Sequence, residues 1–445
     1  MDWLSANGFE AVMNPSSQPA SLAPTPERIP LTEGDSPPPQ PTPPAERIEA
    51  IDVLRGFVVC AILLMNMELF TTSFRDISGG ISPELQGASW WADALVYTLL
   101  HGKGWTLFSL LFGVGFAIMR RQAIAHGHNL TPLWLRRAGV LLVIGLLHAI
   151  LVWQGDILVS YAFAAMALLL FRNATAQSAA TWGAVLFAFP TQLMIATTLV
   201  STGLTAQPAE TTQTILEASR RAAEISALSS GSFGEATGAR IAYLVDSLPA
   251  KVLFLPLIVG MALLGMALFD SGALTRPKQH LTLWRRLCVL GVGFGAAFTA
   301  ASLALNPDPT FGPNAAPDAY LAAGLHLLGA PFLAIGYAAT IILALQDARA
   351  GRWLARLAPT GRLALSNYLL QSIVCTTIFY GYGFGLWGEL SRLEQCLLAV
   401  AILMAQVIIS RGYTKRFHYG PAEWLWRWGI YGVQAAFGRD IHGAV

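Results

Sequence analysis

Charged side chains are scarce in this chain of 445 residues: Asp, Glu, Lys and Arg make up 12%, against 54% hydrophobic residues. An ordinary soluble domain carries about 25% charged residues, so this composition implies a protein that crosses a membrane several times. The net charge is only +2, and the basic residues stand in short clusters rather than in one stripe, which speaks against a nucleic-acid partner. Cysteines are few. Cys60, Cys288, Cys375 and Cys396 all lie inside apolar runs, with no CxxC pair and no histidine set nearby, so neither a disulfide framework nor a metal site is expected. Also missing are HExxH, GxSxG and Walker patterns, which leaves zinc hydrolysis, serine-hydrolase chemistry and P-loop energetics without support. Residues 1–46 lack aliphatic clustering and hold 11 of the 25 prolines, so they read as a disordered cytoplasmic tail. That segment has no basic stretch followed by an apolar one, and the first insertion signal is the first helix itself.

What the chain does have is apolar runs of the length a ~30 Å hydrocarbon layer demands. Ten emerge, at about 51–70, 100–119, 133–152, 157–171, 180–201, 249–269, 286–305, 323–346, 363–380 and 393–410. The expected fold is all-α: a polytopic membrane protein with about ten transmembrane helices filling residues 47–445. Alternate loops carry the charge, with Arg120, Arg121, Arg136 and Arg137, then Arg172, Arg276 to Arg286, Arg349 to Arg362, and Arg411 to Arg416. The positive-inside rule therefore puts both termini in the cytoplasm of a bacterial inner membrane, with lipids as partners and a homodimer as the expected assembly. Residues 89–100 read as an interfacial helix bent at Gly102 and Gly104. Residues 202–248 read as an outward loop or cap holding an amphipathic helix over 210–227, and residues 417–445 as a cytoplasmic interfacial segment.

The first run, RIEAIDVLRGFVVCAILLMNMELF, sets Asp52, Arg55 and Asn66 on one helical face. A polar stripe on an apolar helix is turned away from lipid. Further polar groups gather toward the outer end of the spans: Glu68, His101, Lys103, His148, Gln154, Asp156 and His326. The hairpin between the third and fourth runs necessarily brings His148 near Asp156. A histidine beside a carboxylate is a general-base arrangement, because the carboxylate fixes the tautomer and stabilises the imidazolium. The alternative for each histidine is a hydrogen bond in helix packing. At the inner side, Arg55, Arg136, Arg137, Arg362, Lys415, Arg416 and His418 could hold phosphates of an anionic donor or contact lipid headgroups. Asn367 and Gln371 stand at i,i+4, where they either bind substrate or join helices.

Several motifs resemble the bacterial YeiB-like family, also called domain of unknown function 418. They are the opening RIEAIDVLRGFVVCAILLMN, then FSLLFGVGF, GLLHAILVWQGDILVSYA, GRLALSNYLLQSIVCTTIFYGYGFGLWG and FHYGPAEWLWR. Together they cover nearly the whole chain after residue 46. Cys60 stands where members usually have a small residue. The family is similar to transmembrane acyltransferases such as the heparan glucosaminide acetyltransferase, through Asp52, Arg55, Gly56, Asn66 and the ASW segment at Ala88 to Trp90. That resemblance implies a CoA thioester bound from the cytoplasm, an acceptor on the far face and an essential histidine just after the first span. This chain has no histidine there, so His101 or His148 would take the role. On this reading His148 is the base, Asp156 its orienter, Asn66 and Lys103 contacts of the reacting carbonyl, and Arg55 a donor-phosphate contact. Asp52, Glu68, His326, Asn367 and Gln371 line the substrate. No covalently bound cofactor and no metal are expected, and acyl-CoA is the donor. The competing readings are a transporter or channel for a small polar or lipid-like solute, and a non-catalytic lipid-binding membrane protein.

Overall fold

The computed structural model describes residues 48–76, 79–201, 212–309 and 317–432. The 1–46 tail and residues 433–445 of the C-terminal segment lie outside the described residues, as do 202–211 of the outward loop. Every described element is helical.

Helix α1 (Glu49–Asn66) starts with Glu49 and Asp52 in its first turn, where negative charge complements the helix dipole, and runs into a single 3-10 turn, Glu68–Phe70. After a loop come α2 (Gly87–Leu99) and α3 (Lys103–Ala125). Between them Gly102 adopts φ +78°, a left-handed conformation that glycine takes without penalty, and this is the expected bend. Gly104, by contrast, is inside α3. Next come α4 (Leu130–Leu151), capped by the Asn129 side chain accepting from the Thr131 amide, then α5 (Leu158–Leu168) and α6 (Ala176–Ser201).

The stretch expected to hold one amphipathic helix holds two, α7 (Thr212–Ser229) and α8 (Phe233–Asp246), the second opened by a Ser232–Glu235 capping box. The chain continues through α9 (Leu248–Asp270), α10 (Leu281–Leu305), α11 (Pro317–Ala344), the short α12 (Ala348–Leu354) and α13 (Ala358–Arg362), then α14 (Ala364–Phe379), α15 (Arg392–Arg416) and α16 (Pro421–Tyr431). Asp347 caps α12, and the Ala350 and Arg349 amides hold its carboxyl below the usual range.

Among the described residues, six helical stretches are long and apolar enough to cross a membrane: Gly87–Ala125, Leu130–Leu151, Leu248–Asp270, Pro277–Leu305, Asp318–Ala344 and Arg392–Arg416. Leu158–Phe171 and Ala364–Phe379 are apolar but shorter. Helix α1 is only 18 residues long and has Glu49, Asp52 and Arg55 in its first two turns, so its uncharged apolar run is shorter than those of the six.

Glycine sets how closely these helices approach, as expected where packing rather than water exclusion joins them. A Cβ on Gly113 of α3 would lie 2.6 Å from Ala262 Cα of α9, and one on Gly265 of α9 2.7 Å from the Leu110 carbonyl carbon of α3. Gly56 of α1 meets Gly361 of α13 in the same way, which ties the beginning of α1 to the start of α14. The main core runs through α1, α3, α4, α5, α9 and α11, with Trp134 and Trp284 fully buried.

Candidate functional site

Two cavities that share Arg55, Arg137, Arg362, Glu423, Trp426 and Arg427 enter the bundle from the end where α1 and α14 begin. The outer of the two, a vestibule of about 500 Å³, adds Asp52, Arg121, Gln122, Tyr419 and Tyr431. The inner, a chamber of about 200 Å³, is walled by Val59, Ile62, Phe108, Leu111, Phe112 and Leu141 and reaches Ile157, Tyr161 and Tyr368. A basic mouth thus narrows into an apolar pocket ending at two phenols. Five arginines surround the mouth, with Asp52 and Glu423 as its acidic groups.

Local folding explains the arrangement. The Arg137 guanidinium is sandwiched by Trp134 at 5.1 Å and Trp426 at 4.2 Å, while Trp426 Nε1 donates to the Arg137 carbonyl at 3.3 Å. Arg427 lies 4.3 Å over Tyr419. Arg55 is 3.6 Å from Asp52, and a Cβ on Gly115 would sit 3.6 Å from Arg137 Nη2 and 4.0 Å from Arg55 Nη2, so the missing side chain leaves room for both. Glu423 fixes α16 in place: its carboxylate accepts from the Leu365 amide at 2.7 Å, the Ser366 amide at 3.0 Å and the Ser366 hydroxyl at 2.5 Å, capping α14. Burial raises this carboxyl above the usual range, against the pull of those donors.

Beyond the chamber, His148 Nδ1 and Asp156 Oδ2 are 2.7 Å apart, with both side chains about 1% exposed. Asp156 Oδ1 accepts from the Val159 amide at 2.8 Å, so one carboxylate both starts α5 and orients the imidazole. A proton on Nδ1 leaves Nε2 as an acceptor, and that atom is buried with no hydrogen-bond partner. The Tyr368 ring, part of the chamber wall, packs on the imidazole with centroids 5.2 Å apart. Lys251 of α9 is close enough to Asp156 to interact with its charge. Helices α7 and α8 hold this hairpin in place. Arg240 of α8, fully buried, donates to the Leu151 carbonyl at 3.0 Å and to Tyr382 Oη at 3.0 Å, and Glu224 of α7 accepts from Gln154 Nε2 at 2.8 Å.

The other expected site residues fall into separate groups. His101, Lys103 and His326 come together: Lys103 Nζ is 3.2 Å from His326 Nε2, which is 3.4 Å from His101 Nδ1. Tyr97 stacks on both imidazoles, and Lys103 is 2% exposed. Among the described residues, no hydrogen bond, ion pair or ring contact joins this cluster to His148. Glu68 pairs with Arg392 at 3.6 Å, and Arg392 also binds Asp93 at 2.8 Å. Asn367 Nδ2 donates to Thr360 O and Ser410 Oγ at 3.1 Å each, and Gln371 Nε2 to Gln406 Oε1 at 2.8 Å, which joins α14 to α15. Asn66 is buried near the end of α1. Of the inner basic residues, Arg55, Arg137 and Arg362 line the cavities, whereas Arg136, Lys415 and Arg416 are exposed away from them. Arg121, Arg427, Trp426, Tyr161 and Tyr368 were not singled out as site residues from sequence. The WLWRW string marks Trp426 and Arg427 as notable, but nothing local says that α16 folds back over the mouth.

Apolar helices around a basic, inward-narrowing cavity define an all-α membrane protein with an internal cavity. A family model described as "Protein of unknown function (DUF418)" matches residues 268–433. The chain is 31% identical over 413 residues to the "Uncharacterized protein YxaH" of Bacillus subtilis, covering 88% of this chain and 96% of that protein. It is 28% identical over 396 residues to the "Uncharacterized protein YeiB" of Escherichia coli, covering 86% and 96%. The chain belongs to this YeiB-like DUF418 family. No solved structure matches it.

Proposed function

We propose that this protein is an integral membrane acyltransferase that takes an acyl group from a CoA-type donor on the cytoplasmic side and delivers it to an outward-facing or lipid acceptor. The observation that carries the reading is the buried His148–Asp156 contact at 2.7 Å, its Nε2 unpaired, packed against the wall of an arginine-mouthed chamber. Arg55, Arg137, Arg362 and Arg427 bind the donor's phosphates, and the apolar chamber receives its acyl end. His148 Nε2 accepts the proton of the acceptor's hydroxyl or amine, and Asp156 keeps the tautomer that allows this. The alternation of basic loops supports ten spans in a bacterial inner membrane with both termini cytoplasmic, the 1–46 tail included. Lipids are its surroundings, and a homodimer its assembly.

Binding and transfer test the proposal together. Purified protein given labelled acetyl-CoA should bind it and pass on the label, and His148→Ala should lower transfer about 100- to 10,000-fold. Absence of binding, absence of transfer and wild-type behaviour of His148→Ala would remove the reading. A second reading is favoured by one feature: an arginine mouth above an apolar chamber also suits a phosphate-headed lipid, bound or transported without covalent change. Flux or lipid retention with no acyl transfer would select it.

A further inference from the structure

Three buried polar groups gather around one imidazole: among the described residues His148 Nε2 and Trp153 Nε1 have no hydrogen-bond partner, and Tyr368 Oη, which the Ile157 amide approaches as a donor, keeps its own O–H unspent. The Tyr368 and Trp153 rings lie 5.2 and 6.4 Å from the His148 ring, centroid to centroid. Buried polar groups are nearly always paired, because an unpaired one loses its hydration without compensation, so a cluster with unspent donors and acceptors asks for a ligand or a reaction. The composition of this one is particular. With Asp156 holding the proton on Nδ1, the imidazole offers an acceptor, while a phenol and an indole offer donors. Of the two donors, Tyr368 also lines the chamber. By contrast, the other chamber phenol, Tyr161, is spent: it is 2.7 Å from Ser109 Oγ and donates to the Trp105 carbonyl at 3.0 Å.

We infer that Tyr368 is a catalytic residue whose phenol donates a hydrogen bond to the carbonyl oxygen of the acyl group as His148 deprotonates the acceptor, an assignment that rests on the acyl-transfer reading. The acceptor's oxygen or nitrogen forms the new bond to the thioester carbon, and its proton goes to His148 Nε2. The carbonyl oxygen takes up the displaced electron pair, and the Tyr368 O–H stabilises it there. When the carbonyl re-forms, the carbon–sulfur bond breaks, and the thiolate leaves with the proton returned by His148. Atoms and charge balance without any further reactant. A donor aimed at an oxygen that gains charge only in the transition state raises kcat far more than it tightens binding.

The test is the rate of thiol release from acetyl-CoA by purified full-length protein in proteoliposomes of bacterial lipid. Tyr368→Phe keeps the ring on His148 and removes one oxygen. Its kcat should fall about 100- to 1,000-fold with KM nearly unchanged. 3-Fluorotyrosine at position 368 keeps the packing and the hydroxyl but makes the phenol more acidic, so it should shift kcat and its pH profile, which a purely structural role would not do. It also decides the matter if Tyr368→Phe loses its thermal transition. Should Tyr368→Phe turn over within about twofold of wild type while His148→Ala is dead, the Tyr368 role falls and the acyl-transfer reading stands. An unchanged rate and profile in the fluorotyrosine variant has the same meaning. No thiol release by the wild type overturns both.

Discussion

At the scale of single residues, the pair at His148 and Asp156 is the point where a small change has the sharpest consequence. Asp156→Asn can keep the cap on the Val159 amide but presents an amide N–H toward Nδ1, so the imidazole turns to the other tautomer and Nε2 becomes a donor. Transfer should fall about 1,000- to 10,000-fold while the thermal midpoint changes little, because the hairpin keeps its shape. Glu423 makes a pH prediction at the mouth. Burial raises its folded pKa, so the folded state binds the proton more tightly than the unfolded one. The associated stability is fully present below the unfolded value, about 4.3, and is lost as pH rises through the folded value. Glu423→Gln should flatten that loss in thermal midpoints measured across the acid range; a slope equal to wild type would show that Glu423 does not carry it. The hairpin's short connection made the His148–Asp156 contact legible in the sequence. The chamber phenols were not legible, since Tyr161 and Tyr368 look like any aromatic in an apolar run until the neighbouring helices are placed.

At the scale of helices, three joints hold the site. The first is the glycine contact of α3 with α9, where Gly113 and Gly265 let the backbones touch. Gly265→Val should force them apart and cost about 1–3 kcal/mol or more, read as a lower unfolding temperature in detergent. The second is the cap on α4, where Arg240 takes the last carbonyls of the helix that carries His148. The third is α16 on α14 through Glu423. Apolar length announced most helices, and Gly102 announced the break before α3. The sequence was less informative in two places. Helix α8 is only mildly amphipathic and follows a more polar partner, so it did not stand out within 202–248. Helix α16 looked interfacial because its tryptophans suit a membrane surface, yet one of them, Trp426, stacks on Arg137 and lines the vestibule.

For the whole molecule, the decisive question is whether the arginine mouth and the His148 end are two halves of one path across the membrane. Charge alternation along the chain speaks to sidedness directly. Cysteine introduced at Arg352 should react with an impermeant thiol reagent only from the cytoplasmic side, and cysteine at Glu389 only from outside; the reverse pattern would invert the topology. The polar groups expected at one depth sort into separate assemblies, because distance along a helix gives depth but not azimuth. His326 and Lys103, expected at the depth of His148, turn toward Tyr97, not toward Asp156.

One measurement tests the central claim most directly. Proteoliposomes with the Arg55–Arg362 face outward are given labelled acetyl-CoA on that face alone, and label is followed across the bilayer. The account predicts that acetyl groups appear on the opposite face in wild type, that Arg362→Met weakens the concentration dependence about 10- to 100-fold, and that His148→Ala abolishes the transfer. Label that never leaves CoA, or that crosses equally well without His148, would contradict it.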